Sequence, residues 1–287
     1  MFDVKGERVV LVTDSACDLS DAQLAAWDIR LVPLRVSTTH GEYRDRLEID
    51  PEKLYTLMET ELPKTSLPLP GDVADLYRSL LAEGADHILH LTISSGLSGT
   101  FNMVSMVASE FPDAKIDVVD TLTLSAGEGL LVLTAAKALA EGSSVPEAIA
   151  LVREKRKDQL GTFVIKTLEF LRKGGRIGLV EGVVGSLLQI KPVIFVDDQG
   201  VYETLTKARG FSRAVNAMEE QFAKRYERRP VNLAIVHGGA PEEAAELEAR
   251  FCRTLNVVDS FISPVSPALA IHTGRGLQGA ICQLADV

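Results

Sequence analysis

Several short clusters in this chain place hydroxyls, glycines and ionisable side chains at spacings that suit chemistry. They are Thr13-Asp14-Ser15, Ser94-Ser95-Gly96, Asp120-Thr121-Leu122-Thr123, Lys173-Gly174-Gly175-Arg176, His237-Gly238-Gly239 and His272-Thr273-Gly274-Arg275-Gly276. The serine cluster is the richest. Hydroxyl donors beside free backbone N–H groups at a helix start make a cradle for a carboxylate or phosphate. The same residues would serve equally as a helix cap, with Ser98 as the capping hydroxyl. A serine nucleophile fits less well, because the turn lacks a G-x-S-x-G elbow and no pattern assigns a base.

The other clusters read in similar pairs. His272 could donate to an anion, or protonate and pair with it. It could also be a structural histidine bonded to backbone. Arg176 follows two glycines, which allow close backbone approach, so it suits an anion or partner contact, or a surface ion pair. Asp14 and Asp120 could act as general bases, but acids at strand ends commonly cap the next turn, and that reading is preferred. Gly274 to Gly279 formally matches G-x-G-x-x-G but leaves no room for a βαβ unit, and no G-x-x-x-x-G-K-[ST] loop occurs. Nothing here points to nucleotide binding. The five histidines lack metal-ligand spacing.

These clusters sit at the ends of apolar runs, and the runs define the elements that must position them. Strand-like runs are Arg8–Thr13, Asp86–Thr92, Ile116–Asp120, Pro192–Val196, Val231–Val236 and Val257–Val265. Helical periodicity marks Val73–Ala82, Asn102–Glu110, Ser125–Ala140, Val145–Asp158, Phe211–Tyr226 and Glu242–Cys252. Alternation of this kind predicts α/β layers with substantially parallel sheets, and the longer strands of the C-terminal third predict some antiparallel pairing. Ligands in such folds bind beyond the carboxyl ends of strands. Asp50-Pro51, Gly71-Asp72 and Ala240-Pro241 read as helix starts. The apolar run Gly127–Ala140 reads as a core helix, with a cavity wall as the alternative. The charged segment Arg153–Asp158 followed by Gly161 places a boundary near residue 160, giving expected domains 1–160 and 161–287.

The bulk numbers narrow the function. With 287 residues, 46% hydrophobic and 24% charged, the chain can bury one or two sizeable cores. A net charge of −10 disfavours nucleic acid and anionic membrane surfaces as partners. Cys17, Cys252 and Cys282 are odd in number and widely spaced, which suggests free thiols in a reducing cytoplasm. The N-terminus does not read as a signal peptide, and the longest lipid-like run, Gly129–Ala136, is too short to span a bilayer.

Taken together the pieces resemble the DegV family of bacterial fatty acid-binding proteins across essentially the whole chain. The resemblance rests on Val10-Leu-Val-Thr-Asp-Ser-Ala-Cys-Asp-Leu19, Glu42-Tyr-Arg-Asp45 with Asp50-Pro51-Glu52 and Tyr55, and Lys64-Thr-Ser-Leu-Pro68. It continues through Ser94–Thr100, Asp120–Gly127, Thr167–Ile177, Leu187-Leu-Gln-Ile-Lys-Pro192 and His272-Thr-Gly-Arg-Gly276. The family fold it implies is two α/β domains with a ligand site between them. It implies a long-chain fatty acid whose carboxylate is gripped by Thr65, Ser95 and His272, supported by Ser66, Ser94, Gly96, Thr273 and Gly274. It implies a non-catalytic carrier without cofactor or metal, which presents the acid to a separate ATP-dependent fatty acid kinase that makes an acyl phosphate for lipid synthesis. Arg176 and Arg275 are candidate headgroup or partner contacts, and Lys191 a partner contact. Leu67 stands where the family usually has glutamine, and Arg275 where it usually has proline. The competing readings are a small-molecule phosphotransferase subunit and a lipid-sensing regulatory module.

Overall fold

The structure is a computed structural model that describes residues 1–178, 180 and 189–285. Leu187 and Leu188 of the run ending at Pro192 lie outside the described residues. In chain order the first half contains β1 (Phe2–Val4), β2 (Glu7–Asp14), α1 (Asp21–Ala26), β3 (Arg30–Val32), β4 (Arg35–Thr38), β5 (Gly41–Arg44), α2 (Pro51–Met58), β6 (Lys64–Ser66) and α3 (Pro70–Ala82). It continues with β7 (His87–Thr92), α4 (Thr100–Ser109), β8 (Lys115–Asp120), α5 (Ala126–Ala140) and α6 (Val145–Asp158). The second half contains β9 (Leu160–Val164), α7 (Glu169–Lys173), β10 (Ile190–Val196), β11 (Tyr202–Arg209), α8 (Phe211–Tyr226), β12 (Pro230–His237), α9 (Pro241–Thr254), β13 (Asn256–Pro264), α10 (Pro267–Thr273) and β14 (Gln278–Leu284).

These elements build a mixed α/β fold. One sheet runs β1-β2-β7-β8, with β3 also paired to β2. Its β3–β2, β2–β7 and β7–β8 pairs are parallel. A six-stranded sheet runs β11-β10-β9-β14-β12-β13, where only β12–β13 is parallel. The expected antiparallel pairing of the C-terminal third is therefore present. A small third sheet, β5-β4-β6, was not foreseen.

Each strand face selects its partner helices. Val10, Val12 and Ile88 meet α3 and α4, whereas Val9, Leu11 and Leu89 meet α5 and α6. On the six-stranded sheet, Leu160, Val164, Val231 and Leu233 pack under α8 and α9. Helix α5 is buried around most of its circumference, with Lys137 exposed, because it touches both large sheets. Gly129 permits this, since a Cβ there would lie 2.6 Å from the Cys17 carbonyl oxygen. The Gly127–Ala140 run is thus core. Most remaining buried side chains, from α2, α7, α10, Phe163 and Tyr202, form a cluster on the inner face of the six-stranded sheet.

The helix starts follow the sequence with one exception. Asp50 accepts the Lys53 N–H ahead of Pro51, and Pro241 opens α9 with Glu242 and Glu243 in its first turn. Asp72 is not a cap. Pro70 starts α3 two residues earlier, and Asp72 instead pairs with Arg35 of β4.

Candidate functional site

Helix α10 lies between two contrasting spaces. On one side Leu269 and Thr273 join Phe163, Val196, Tyr202, Val236, Val265, Leu277 and Ile281 around an apolar cavity, which the Thr123–Ser125 turn also lines. Phe163 and Tyr202 meet edge to face there, with ring centroids 5.1 Å apart. On the other side Ile271 and His272 face a cavity of about 200 Å³ walled by Leu62, Pro63, Lys64, Thr65, Phe170, Lys173, Gly174 and Arg176. Three cationic side chains and no acid line this second space, in a chain whose net charge is −10. Such local charge favours an anionic ligand.

The polar centre is a pair brought together across 207 residues. Thr65 Oγ1 lies 3.0 Å from His272 Nε2. Strand β6 holds Thr65 by pairing it with Val36 of β4, so the small third sheet positions this hydroxyl. The other imidazole nitrogen, Nδ1, is buried without a partner among the described residues. Gly174 makes that approach possible, because a Cβ there would sit 2.1 Å from Nδ1. Burial, reinforced by the Arg176 charge, lowers the His272 pKa to about 4. The imidazole is neutral at pH 7, and Arg176 supplies the fixed positive charge beside it. Arg176 donates from Nη1 to the Gly174 carbonyl at 2.7 Å and from Nε to the Leu97 carbonyl at 3.3 Å. It thereby ties the serine turn to the Thr65–His272 pair.

The serine turn is built by residues with divided roles. Ser94 is buried, and its Oγ donates to the Gly200 carbonyl at 2.7 Å and accepts the Gly96 N–H at 3.1 Å. Gly96 lies against the β10–β11 turn, where a Cβ would meet the Gly200 carbonyl oxygen at 2.8 Å. The N-cap of α4 is Gly99, without a side-chain cap bond, so Ser98 is not the expected cap; from one residue upstream its Oγ accepts the Thr100 N–H at 3.3 Å. Ser95 is exposed, and its N–H donates to Asp120 Oδ1 at 3.1 Å. Among the described residues no hydrogen bond joins the Ser95 hydroxyl to the Thr65–His272 pair. Asp14 accepts the N–H groups of Ala16 and Ile93, so both strand-end acids organise backbone, as preferred from the sequence.

The remaining candidates fall into place around this frame. Ser66 is exposed beside Thr65, and Leu67 lies against Gly99 of the serine turn. Thr273 lines the apolar cavity while its hydroxyl bonds back to the Leu269 carbonyl at 3.2 Å. Gly274 ends α10 at φ +72°, and Phe170 leaves no room for a Cβ on it. Arg275 points elsewhere. It bonds Glu52 of α2 and lies 4.9 Å from the Tyr55 ring centre, with half its side chain exposed. Lys191 Nζ donates to the Lys166 carbonyl at 2.5 Å. His237, at the end of β12, accepts the Ala240 N–H and serves α9. Gly174 and Phe170 were missed as site residues. The Lys173-Gly174-Gly175-Arg176 cluster marked the region, but their contacts with α10 are tertiary.

Comparison with known proteins agrees with this architecture. The family profile described as "Uncharacterised protein, DegV family" matches residues 8–283, and the chain belongs to that family. A DegV domain-containing protein of Clostridium acetobutylicum is 34% identical over 275 residues, covering 96% of this chain and 98% of that one. The structure of a DegV family protein from Thermus thermophilus, described for its fatty acid binding, superposes with a TM-score of 0.91. It is 35% identical, and the match covers 97% of this chain and 100% of the other. A stearic acid-binding protein from Eubacterium ventriosum gives a TM-score of 0.86 at 27% identity, covering 97% of this chain and 98% of the other. Among the described residues no helix is long and apolar enough to cross a membrane.

Proposed function

We propose that this protein binds a long-chain fatty acid, with the acyl chain in the apolar cavity and the carboxylate beside Thr65, Ser95 and His272. The observation that carries the reading is the Thr65–His272 pair next to Arg176, with His272 on a helix whose other face lines an apolar cavity. Fatty acid binding by the Thermus and Eubacterium relatives supports it.

The energetics favour this division. Burying an acyl tail yields roughly 0.8 kcal/mol per methylene before ordering costs. A carboxylate leaving water needs replacement bonds. A threonine hydroxyl and a neutral imidazole can donate them, and Arg176 supplies charge without filling the space. Ser95 is exposed on the serine turn, whose Leu97 carbonyl bonds Arg176, and in this reading its hydroxyl meets the ligand. Ser66, Ser94, Gly96, Thr273 and Gly274 shape the surrounding backbone. The two large sheets correspond in this reading to domains divided near residue 160, with the ligand between them.

The protein is then a carrier. A separate ATP-dependent fatty acid kinase phosphorylates the presented carboxylate in the cytoplasm, and the acyl phosphate feeds lipid synthesis. The carboxylate is itself the nucleophile, so the carrier needs positioning more than a base. Arg176 and Lys173 would face the transferred phosphate.

Denaturing extraction of the purified protein followed by mass spectrometry tests the binding step. A near-stoichiometric long-chain acid is the expected result. An empty protein whose melting temperature does not respond to added fatty acid would refute it.

A further inference from the structure

The same helix that carries His272 is held from its other end by two buried acids. Ser266 N–H donates to Asp18 Oδ1 at 2.8 Å, and Ala268 N–H donates to Asp45 Oδ1 at 3.0 Å. Each carboxylate is completed by a serine from the first half of the chain. Ser125 Oγ donates to Asp18 Oδ2 at 2.5 Å, and Ser15 Oγ to Asp45 Oδ2 at 2.5 Å. The Asp18 carbonyl also accepts Ser263 Oγ at 2.6 Å, just before the turn into α10.

Neither acid forms a salt bridge among the described residues, and the adjacent Arg46 pairs with Asp21 instead. A buried acid without an ion pair is costly. Burial accordingly raises Asp18 to about 7 and Asp45 to about 6. Both acids spend that cost on backbone N–H groups at the start of α10. The tolerance at the far end is narrow, since a single Cβ at Gly174 would collide with the His272 ring. A helix of seven residues transmits a displacement at one end to the other.

We propose that Asp18 and Asp45 are positioning residues, which set the place of His272 opposite Thr65 by tethering the first turn of α10. The proposal rests on the reading that the Thr65–His272 pair holds the ligand carboxylate.

Two readouts test it. The first is affinity for cis-parinaric acid, a fluorescent fatty acid. The second is the imidazole NMR resonance of His272 in ligand-free protein, which needs no ligand. Asp18→Ala and Asp45→Ala should each weaken binding about ten-fold, the loss of one hydrogen bond to a charged group, and should move the His272 resonance. Asp18→Asn and Asp45→Asn should recover most of the affinity. In each, the amide oxygen can still accept the backbone N–H while the facing serine reverses to accept. Tyr77→Phe is the control. Tyr77 is equally buried, and its hydroxyl bonds His90 in the layer of α3 and α4, so neither readout should change. If the alanine variants do not fold, Ser266→Pro removes the donated N–H and the hydroxyl at a φ of −58° that suits proline, and its ring Cδ pushes the Asp18 carboxylate away from the start of α10. It should move His272 in the same way. An unmoved His272 resonance in folded tether variants overturns the proposal, whatever the affinity. Failure of the wild type to bind cis-parinaric acid would instead count against the proposed function and leave the His272 readout to judge the tether.

Discussion

Helix α10 has an end whose carboxylates are saturated and an end whose imidazole is not, although the Ser266 hydroxyl at its start is also buried without a partner among the described residues. At its start, both oxygens of Asp18 and both of Asp45 accept hydrogen bonds. At its finish, His272 holds one bond to Thr65 and keeps Nδ1 unpartnered, beside an Arg176 that no acid pairs among the described residues. Buried polar groups are normally bonded, so an exception invites an explanation. In the proposed reading the difference separates structure from function. The proposed roles follow: the acids at the start fix the helix, and the His272 end keeps donor capacity and positive charge for a ligand.

The largest effect should come from the unsaturated end. Thr65→Ala or His272→Ala should weaken fatty acid binding by about ten-fold or more, as a carboxylate loses a charge-assisted bond. The double variant Ser95→Ala with His272→Ala should weaken it further while leaving the fold intact. Isothermal titration with a long-chain fatty acid measures this, and unchanged affinity in the double variant would show that the headgroup lies elsewhere.

A smaller effect distinguishes the ends by pH. Burial raises Asp18 from about 4 to about 7, so between these values the folded protein holds a proton that the unfolded chain has lost. Its contribution therefore destabilises the fold progressively as pH rises through that window. Burial lowers His272 from 6.5 to about 4, so the unfolded chain takes up a proton that the folded protein refuses, and stability falls as pH drops from 6.5 toward 4. Relative to wild type, Asp18→Asn should gain melting temperature as pH rises from about 4 to about 7. His272→Gln should gain it as pH falls below about 6.5. Parallel slopes for the two variants would erase the distinction between the ends.

Much of this was readable from residue order. Period-2 and period-3.6 apolar patterns located β2, β7, β8, β10, β12 and β13 and the long helices, because each buries a continuous face. The three short strands of the small sheet carry three or four residues apiece with little burial, too brief for a period to emerge. The serine turn was visible as a cluster, yet local pattern could not separate cap from ligand contact. Pairing Thr65 with His272 spans the chain, and only the family resemblance suggested it. Arg275 shows the limit of reading a substitution by its neighbours in sequence. Placed one residue beyond Gly274, it turns to Glu52 and Tyr55 of α2, and no short-range signal announces that contact. Gly174 was legible as a glycine but not as the space that admits an imidazole.

The most direct measurement places the carboxylate itself. A long-chain fatty acid labelled with ¹³C at the carboxyl carbon should give one bound resonance, displaced from that of the free acid. Thr65→Ala and His272→Ala should each shift that resonance in protein that still binds the label. A bound carboxyl signal indifferent to both substitutions would contradict the assignment of this site.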